Sequence, residues 1–267
     1  MSSTTTNVAL VFALCLYSAG VRADVIVSTG ISLNNLQILP ANGALVILPG
    51  VLASASAQAQ DSLGGNDAQS NTFTDAAASA NALTALANAN AASSAMGLTA
   101  SATSGVNIPQ ITAFASSGAN GAPFGSLFGQ FEIVGTTGPV AVQLRALLDY
   151  TQSLSTTGGG VSASSEDIFN LLLPEVSGSP VLFFDNLLTI GPNDSMSAMG
   201  TRTLSAFVTL DPGTTYNFIA EVDSESSGLS QVPEPSSLFL VLTAFVFSAL
   251  LFARRERGRR RVEPNAR

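Results

Sequence analysis

Thr203–Asp223 reads TLSAFVTLDPGTTYNFIAEVD, and this stretch decides the fold class. Leu204, Ala206, Val208 and Leu210 alternate with Thr203, Ser205 and Thr209, a period of two that gathers the apolar side chains on one face of a strand. Asp211-Pro212-Gly213-Thr214 supplies the turn, since proline presets φ at its second position and glycine accepts a positive φ at its third. The chain returns with Tyr216, Phe218, Ala220 and Val222 on one face and Asn217, Glu221 and Asp223 on the other, Ile219 being the exception. The pattern predicts a β-hairpin.

Outward from it, the same period recurs. Val140, Val142, Leu144, Ala146, Leu148 and Tyr150 fall on one strand face, with Gln143, Arg145 and Asp149 on the other. Val181–Ile190 (VLFFDNLLTI) reads as a mostly buried strand and Phe128–Val134 as another. Asn42-Gly43 between Leu36–Pro40 and Ala44–Leu48 signals a second hairpin. Residues 51–105 are rich in Ala, Ser, Asn and Gln, and there Ala53, Ala55, Ala57 and Ala59 alternate with polar residues to give a strand with a flat face. Asp75–Met96 carries two patterns: alanine content and Asp75 as a cap suit a helix, whereas the alternation at Ala78–Ala82 and Ala87–Ala91 suits strands. The reading favours strands. One short helix is expected near Glu166–Leu173, capped by Ser164 or Ser165. The expected fold class is all-β: an antiparallel β-sandwich of jelly-roll type over 24–231, plus an N-terminal signal helix and one short C-terminal transmembrane helix.

Charge divides the chain in the same way. It contains no His, Trp or Lys, and all ten basic residues are arginines. Residues 24–231 hold fifteen acids against two arginines, Arg145 and Arg202, which leaves −13. Such a body repels phosphate backbones, so nucleic acid is excluded as a partner. The one cysteine, Cys15, lies in the leader, so no disulfide supports the exported part.

Each end carries a signal. Val8–Tyr17 is an apolar run of signal-peptide length, too short to span a bilayer, which takes roughly 20 residues. Val21-Arg22-Ala23 fits the small-x-small cleavage rule, so signal peptidase is expected to cut between Ala23 and Asp24, leaving 1–23 as the leader. The leader departs from the pattern in having no Arg or Lys before its apolar run. At the other end come Val232-Pro233-Glu234-Pro235, two serines, and Leu238–Phe252, in which Thr243 and Ser248 alone are polar. Arg254, Arg255, Arg257, Arg259, Arg260 and Arg261 follow. Prolines hold a segment extended for a processing enzyme. A helix over 237–253 partitions into the membrane, and arginines stay on the cytoplasmic side against anionic lipid headgroups.

The order of these parts over 232–261 resembles the PEP-CTERM sorting signal of Gram-negative bacteria, which an exosortase recognises. The hydrophobic part lacks the frequent glycines of that signal, and the tail continues through Val262–Arg267. The resemblance implies export, a single-pass inner-membrane stage with N-terminus out and C-terminus in, and processing near Val232–Pro235. It also implies release to the cell surface or medium and association with exopolysaccharide or biofilm matrix. Leu173-Pro174-Glu175-Val176-Ser177-Gly178 looks like a Gram-positive sortase motif, but it precedes the apolar stretch by about sixty residues and reads as a strand-end turn.

Chemistry is sparse. Without His or a mature Cys there is no Ser-His-Asp triad, no thiol nucleophile and no usual zinc ligand set, so no catalytic residue, metal or cofactor is assigned. Glu166 and Asp167 are adjacent and point apart, unlike a glycosidase pair. Glu221, Asp223 and Glu225 share a strand face and are weak Ca²⁺ candidates, as is the loop Asp61–Asp67. Tyr150 and Tyr216 read as core or rim residues. The sequence therefore points to a non-enzymatic exported envelope protein. Its alternatives are a carbohydrate- or Ca²⁺-binding adhesion module, a carboxylate glycosidase, and an ordinary single-pass membrane protein.

Overall fold

A computed structural model describes residues 23–108 and 116–231. The expected leader helix, the sorting motif, the transmembrane helix and the arginine cluster lie outside these residues. Within the described residues, twelve strands form two six-stranded antiparallel sheets. The first contains β1 (Asp24–Pro40), β4 (Ala77–Leu83), β5 (Ala87–Ser94), β6 (Thr99–Ile108), β8 (Val140–Thr157) and β11 (Ser195–Leu210), in the order β11-β8-β1-β6-β5-β4. The second contains β2 (Leu45–Asp61), β3 (Asn66–Thr74), β7 (Ser116–Val134), β9 (Val161–Leu172), β10 (Leu182–Ile190) and β12 (Thr215–Gln231), in the order β10-β9-β12-β7-β2-β3. The sheets face one another across a shared core, a β-sandwich as the alternation predicts. Among the described residues no helix is long and apolar enough to cross a membrane.

The core tapers. At one end Phe131, Phe169 and Phe218 are buried with Leu127, Leu144 and Leu171. At the other, alanines fill the space: Ala53, Ala55, Ala57 and Ala59 of β2 face Ala80, Ala82, Ala89 and Ala91 of β4 and β5, all at most 4% exposed. Methyl groups let the sheets approach until backbones touch. A Cβ added at Gly121 in β7 would lie 2.3 Å from the Asn88 carbonyl oxygen on the facing sheet, so only glycine fits. The Ser93 hydroxyl of β5 donates to the Ser54 carbonyl of β2 at 2.8 Å, another link between the sheets. Asp75–Met96 thus forms strands, the reading the alternation favours. Asp75 caps no helix; at φ 51° it accepts a hydrogen bond from Val51 N at 2.9 Å.

Four sequence expectations need correction. The Asp211–Thr214 turn does not close a hairpin. β11 pairs with β8, and β12 pairs with β7 and β9 in the other sheet. The turn arches between sheets, tied by Gly213 N donating to Ile133 O and by Asp211 N donating to the Tyr216 hydroxyl, both at 2.9 Å. Asn42-Gly43 behaves alike: both residues take the positive φ of a tight turn, yet β1 joins β8 and β6 while β2 joins β7 and β3. Period two says which side chains point inward; it does not say whether two successive inward faces lie side by side or look at each other.

The helix expected at Glu166–Leu173 is instead the strand β9, with Val161, Ala163, Ser165, Asp167, Phe169 and Leu171 buried in strict alternation. Pairing with β10 and β12 on both edges overrides a short helical signal. Finally, β10 is an edge strand rather than a mostly buried one. Leu182 and Ile190 are buried, but Phe183 and Leu187 face outward at 57% and 59% exposure.

Candidate functional site

The outward face of β9, β10 and β12 gathers most of the acids singled out in the sequence. Because β12 alternates, Glu221, Asp223 and Glu225 all point away from the core, as predicted. Register brings in others: Glu225 lies directly across from Glu166, and Asp223 across from Ile168, which in turn pairs with Asp185 of β10. The described residues hold two arginines, Arg145 and Arg202, and both belong to the other sheet. The acids therefore perturb each other. Burial, then repulsion from Asp185 and Glu225, raises the Glu166 carboxyl. Burial raises Glu221. Burial, then the charge of Glu225, pushes Asp223 up to about 6. Among the described residues no group of three such acids converges closely enough to hold a metal ion.

Glu166 and Asp167 do point apart. Glu166 faces outward, whereas Asp167 is wholly buried between the sheets. Its Oδ1 accepts the Thr29 hydroxyl of β1 at 2.9 Å and the Ser224 hydroxyl of β12 at 2.7 Å, and its Oδ2 has no hydrogen-bond partner. Burial pushes this carboxyl up to about 6, with the Ser224 and Thr29 hydrogen bonds pulling the other way. The sequence held the signal for it: Asp167 stands at an inward position between Ser165 and Phe169, which a strand reading of β9 would have exposed.

The loop acids have structural partners. Asp61 Oδ1 accepts Leu63 N at 3.0 Å and Gly65 N at 2.9 Å, and its Oδ2 accepts Leu86 N at 3.3 Å. The Gly65 amide leads in holding the Asp61 carboxyl below its ordinary value. Asp67 accepts Leu83 N at 2.9 Å. These carboxylates close a loop onto β4 and β5. Leu173–Gly178 is a strand-end turn, as expected, with Val176 N and Ser177 N bonded to Leu173 O. Its Glu175 accepts from the backbone and side-chain amides of Asn217. Tyr216 is buried against Phe131, and Tyr150 is half-buried against Phe184, the core and rim positions predicted.

An open groove of ≈ 640 Å³ crosses β2, β7 and β12 on the second sheet, lined by Val51, Leu52, Phe128, Phe218 and Ile219 among others, with no acid in its wall. Carboxylates and groove are thus separate features. Ala23 is buried and β1 opens at Asp24.

No family model and no curated protein matches the chain. Among solved structures it resembles a calcium-binding mutant of Bacteroides uniformis β-glucuronidase 2, at 10% identity and a TM-score of 0.14, covering 66% of this chain and 22% of that one. The same enzyme covalently bound to cyclophellitol-6-carboxylate aziridine gives 8% identity, a TM-score of 0.14, and coverage of 66% and 21%. The chain spans about a fifth of those proteins, and at that TM-score the likeness carries no argument about fold or activity.

Proposed function

We propose that this chain is a non-enzymatic cell-envelope protein, exported through its leader and sorted by an exosortase at Val232–Pro235, with an acidic β-sandwich that associates with extracellular polysaccharide. One observation carries the reading. Among the described residues every strand lies between the two expected cleavage points, from β1 at Asp24 to β12 at Gln231. Cutting at both expected points leaves all twelve described strands whole. The three-part order of the C-terminal segment supplies the sorting assignment. The winding is read as jelly-roll-like, because most connections pass from one sheet to the other.

Intact mass spectrometry of the protein from envelope and medium tests the proposal. A species starting at Asp24 and ending near Pro233–Pro235 is expected. A mature species that retains Arg267 contradicts the C-terminal processing, and deletion of the exosortase should abolish the shortened form.

A further inference from the structure

The two sheets meet around Asp167 in a patch of oxygen atoms that hydrogen bonding leaves incomplete. On the second sheet, Ser224 lies directly across from Asp167, and Ser226 across from Ser165, all on the inner face. On the first sheet, Thr29 lies across from both Ser104 and Gln152. The patch closes across the core: Thr29 bonds Asp167. Gly121, which pairs with Ser226, sits where an added Cβ would be 3.1 Å from Ser104 Cβ. Asp167 Oδ2 and the hydroxyls of Ser104, Ser165 and Ser226 are buried without a hydrogen-bond partner. These residues are 0 to 4% exposed.

The neighbouring amides do not relieve the carboxylate. Gln152 Nε2 donates to Asn186 O at 2.8 Å, and Asn186 Nδ2 donates to Gln152 Oε1 at 2.6 Å, so the pair is turned on itself. The described arginines, Arg145 and Arg202, belong to β8 and β11. Arg145 stands on the outward face of β8, and both side chains are exposed. A carboxylate buried without a counter-ion is expensive, and buried polar groups left unpaired add to the cost.

We propose that Asp167, with the hydroxyls of Ser104, Ser165, Ser224 and Ser226, holds a monovalent cation of sodium size between the sheets. The donor set is all oxygen, which suits a hard cation. It carries a single negative charge, which one monovalent ion neutralises, whereas a divalent ion leaves an unbalanced positive charge in a low-dielectric interior. The site differs from the outward acids Glu221, Asp223 and Glu225 in being enclosed, so the ion is taken up as the sheets close and acts on stability.

Thermal unfolding of the full chain, kept soluble in non-ionic detergent, tests this. Sodium chloride replaces choline chloride from about 1 mM to about 0.5 M at constant ionic strength, which holds charge screening fixed. The midpoint is expected to climb steadily with the logarithm of sodium concentration, and ²³Na resonances to broaden in the presence of the protein. Asp167→Asn should abolish both responses, and Ser226→Ala should move the response to higher sodium. If Asp167→Asn does not fold, the Ser165→Ala/Ser226→Ala double variant should show the loss instead. Coincident melting curves in sodium and choline overturn the proposal, because internal water or an unrelieved carboxylate then fills the patch. Sodium dependence that survives Asp167→Asn overturns it equally.

Discussion

At the scale of single residues, Asp167 and Gly121 carry the most constrained roles. Asp167 is a carboxyl placed where its neutral form is favoured, so its effect on stability has a definite sign. Its folded value near 6 exceeds its ordinary 3.8, and the folded state therefore holds the proton more tightly than the unfolded chain. Its contribution is fully present below about pH 4 and is lost as pH rises through about 6. Asp167→Asn keeps an acceptor for Thr29 and Ser224 and carries no charge. In choline buffer it should be more stable than the parent by up to about 3 kcal/mol at pH 8, and equal to it or slightly weaker at pH 4. Urea midpoints at the two pH values check this. Gly121 acts by absence: its Cβ position is occupied by the Asn88 carbonyl. Gly121→Ala should cost about 3 kcal/mol, because the sheets must part to admit one methyl. Gly213, with open space around its Cβ position but a φ of 76°, should lose only about 1 kcal/mol on replacement by alanine.

At the scale of elements, the individual strands were legible and their partners were not. Val140–Tyr150, the alanine run of β2 and the two strands within Asp75–Met96 all follow the period of two. Each buries the side chains that period selects, Tyr150 at the rim only half. The turns at Asn42-Gly43 and Asp211–Thr214 were legible as turns, since their backbone demands are local. What each turn joins is not local. An inward-facing set of side chains is the same sequence pattern whether the next strand continues its sheet or covers it, and pairing partners such as β1 with β8 lie more than a hundred residues apart. The misread helix at β9 has the same origin: Glu166 and Asp167 after a serine look like a helix start until β12 supplies the edge. The edge position of β10 gives an element-level prediction. Leu187→Lys should change stability by less than about 0.5 kcal/mol, because the side chain already faces outward. Leu144→Ala on β8, which is paired along both edges and buries this side chain fully, should cost about 3 kcal/mol. Paired urea titrations separate the two.

At the scale of the whole molecule, charge is arranged by face. Glu166, Asp185, Glu221, Asp223 and Glu225 share the outside of one sheet, and the two described arginines lie in the other. Asp223, like Asp167, has a folded value near 6 above its ordinary one, so ionisation of this face also works against the fold. The protein should melt higher at pH 5 than at pH 8. The difference should shrink as salt is added, since the exposed part of the repulsion is screened over about 10 Å at 0.1 M. Scanning fluorimetry across pH and salt checks both. The processed form proposed above would keep this face and lose the arginine tail, so its charge would be far more one-sided than that of the whole chain.

The tapered core has a calorimetric consequence. Heat capacity on unfolding follows the apolar area newly exposed to water, at about 0.45 cal/K/mol per Å². The alanine end fills its space with methyl groups and backbone, and so exposes far less such area per residue than the phenylalanine end. The protein should therefore unfold with a heat-capacity increment below the usual range of about 12–15 cal/mol/K per residue. Its stability curve is then flatter against temperature, and cooling takes less from it than from a sandwich of the same size packed throughout with large side chains.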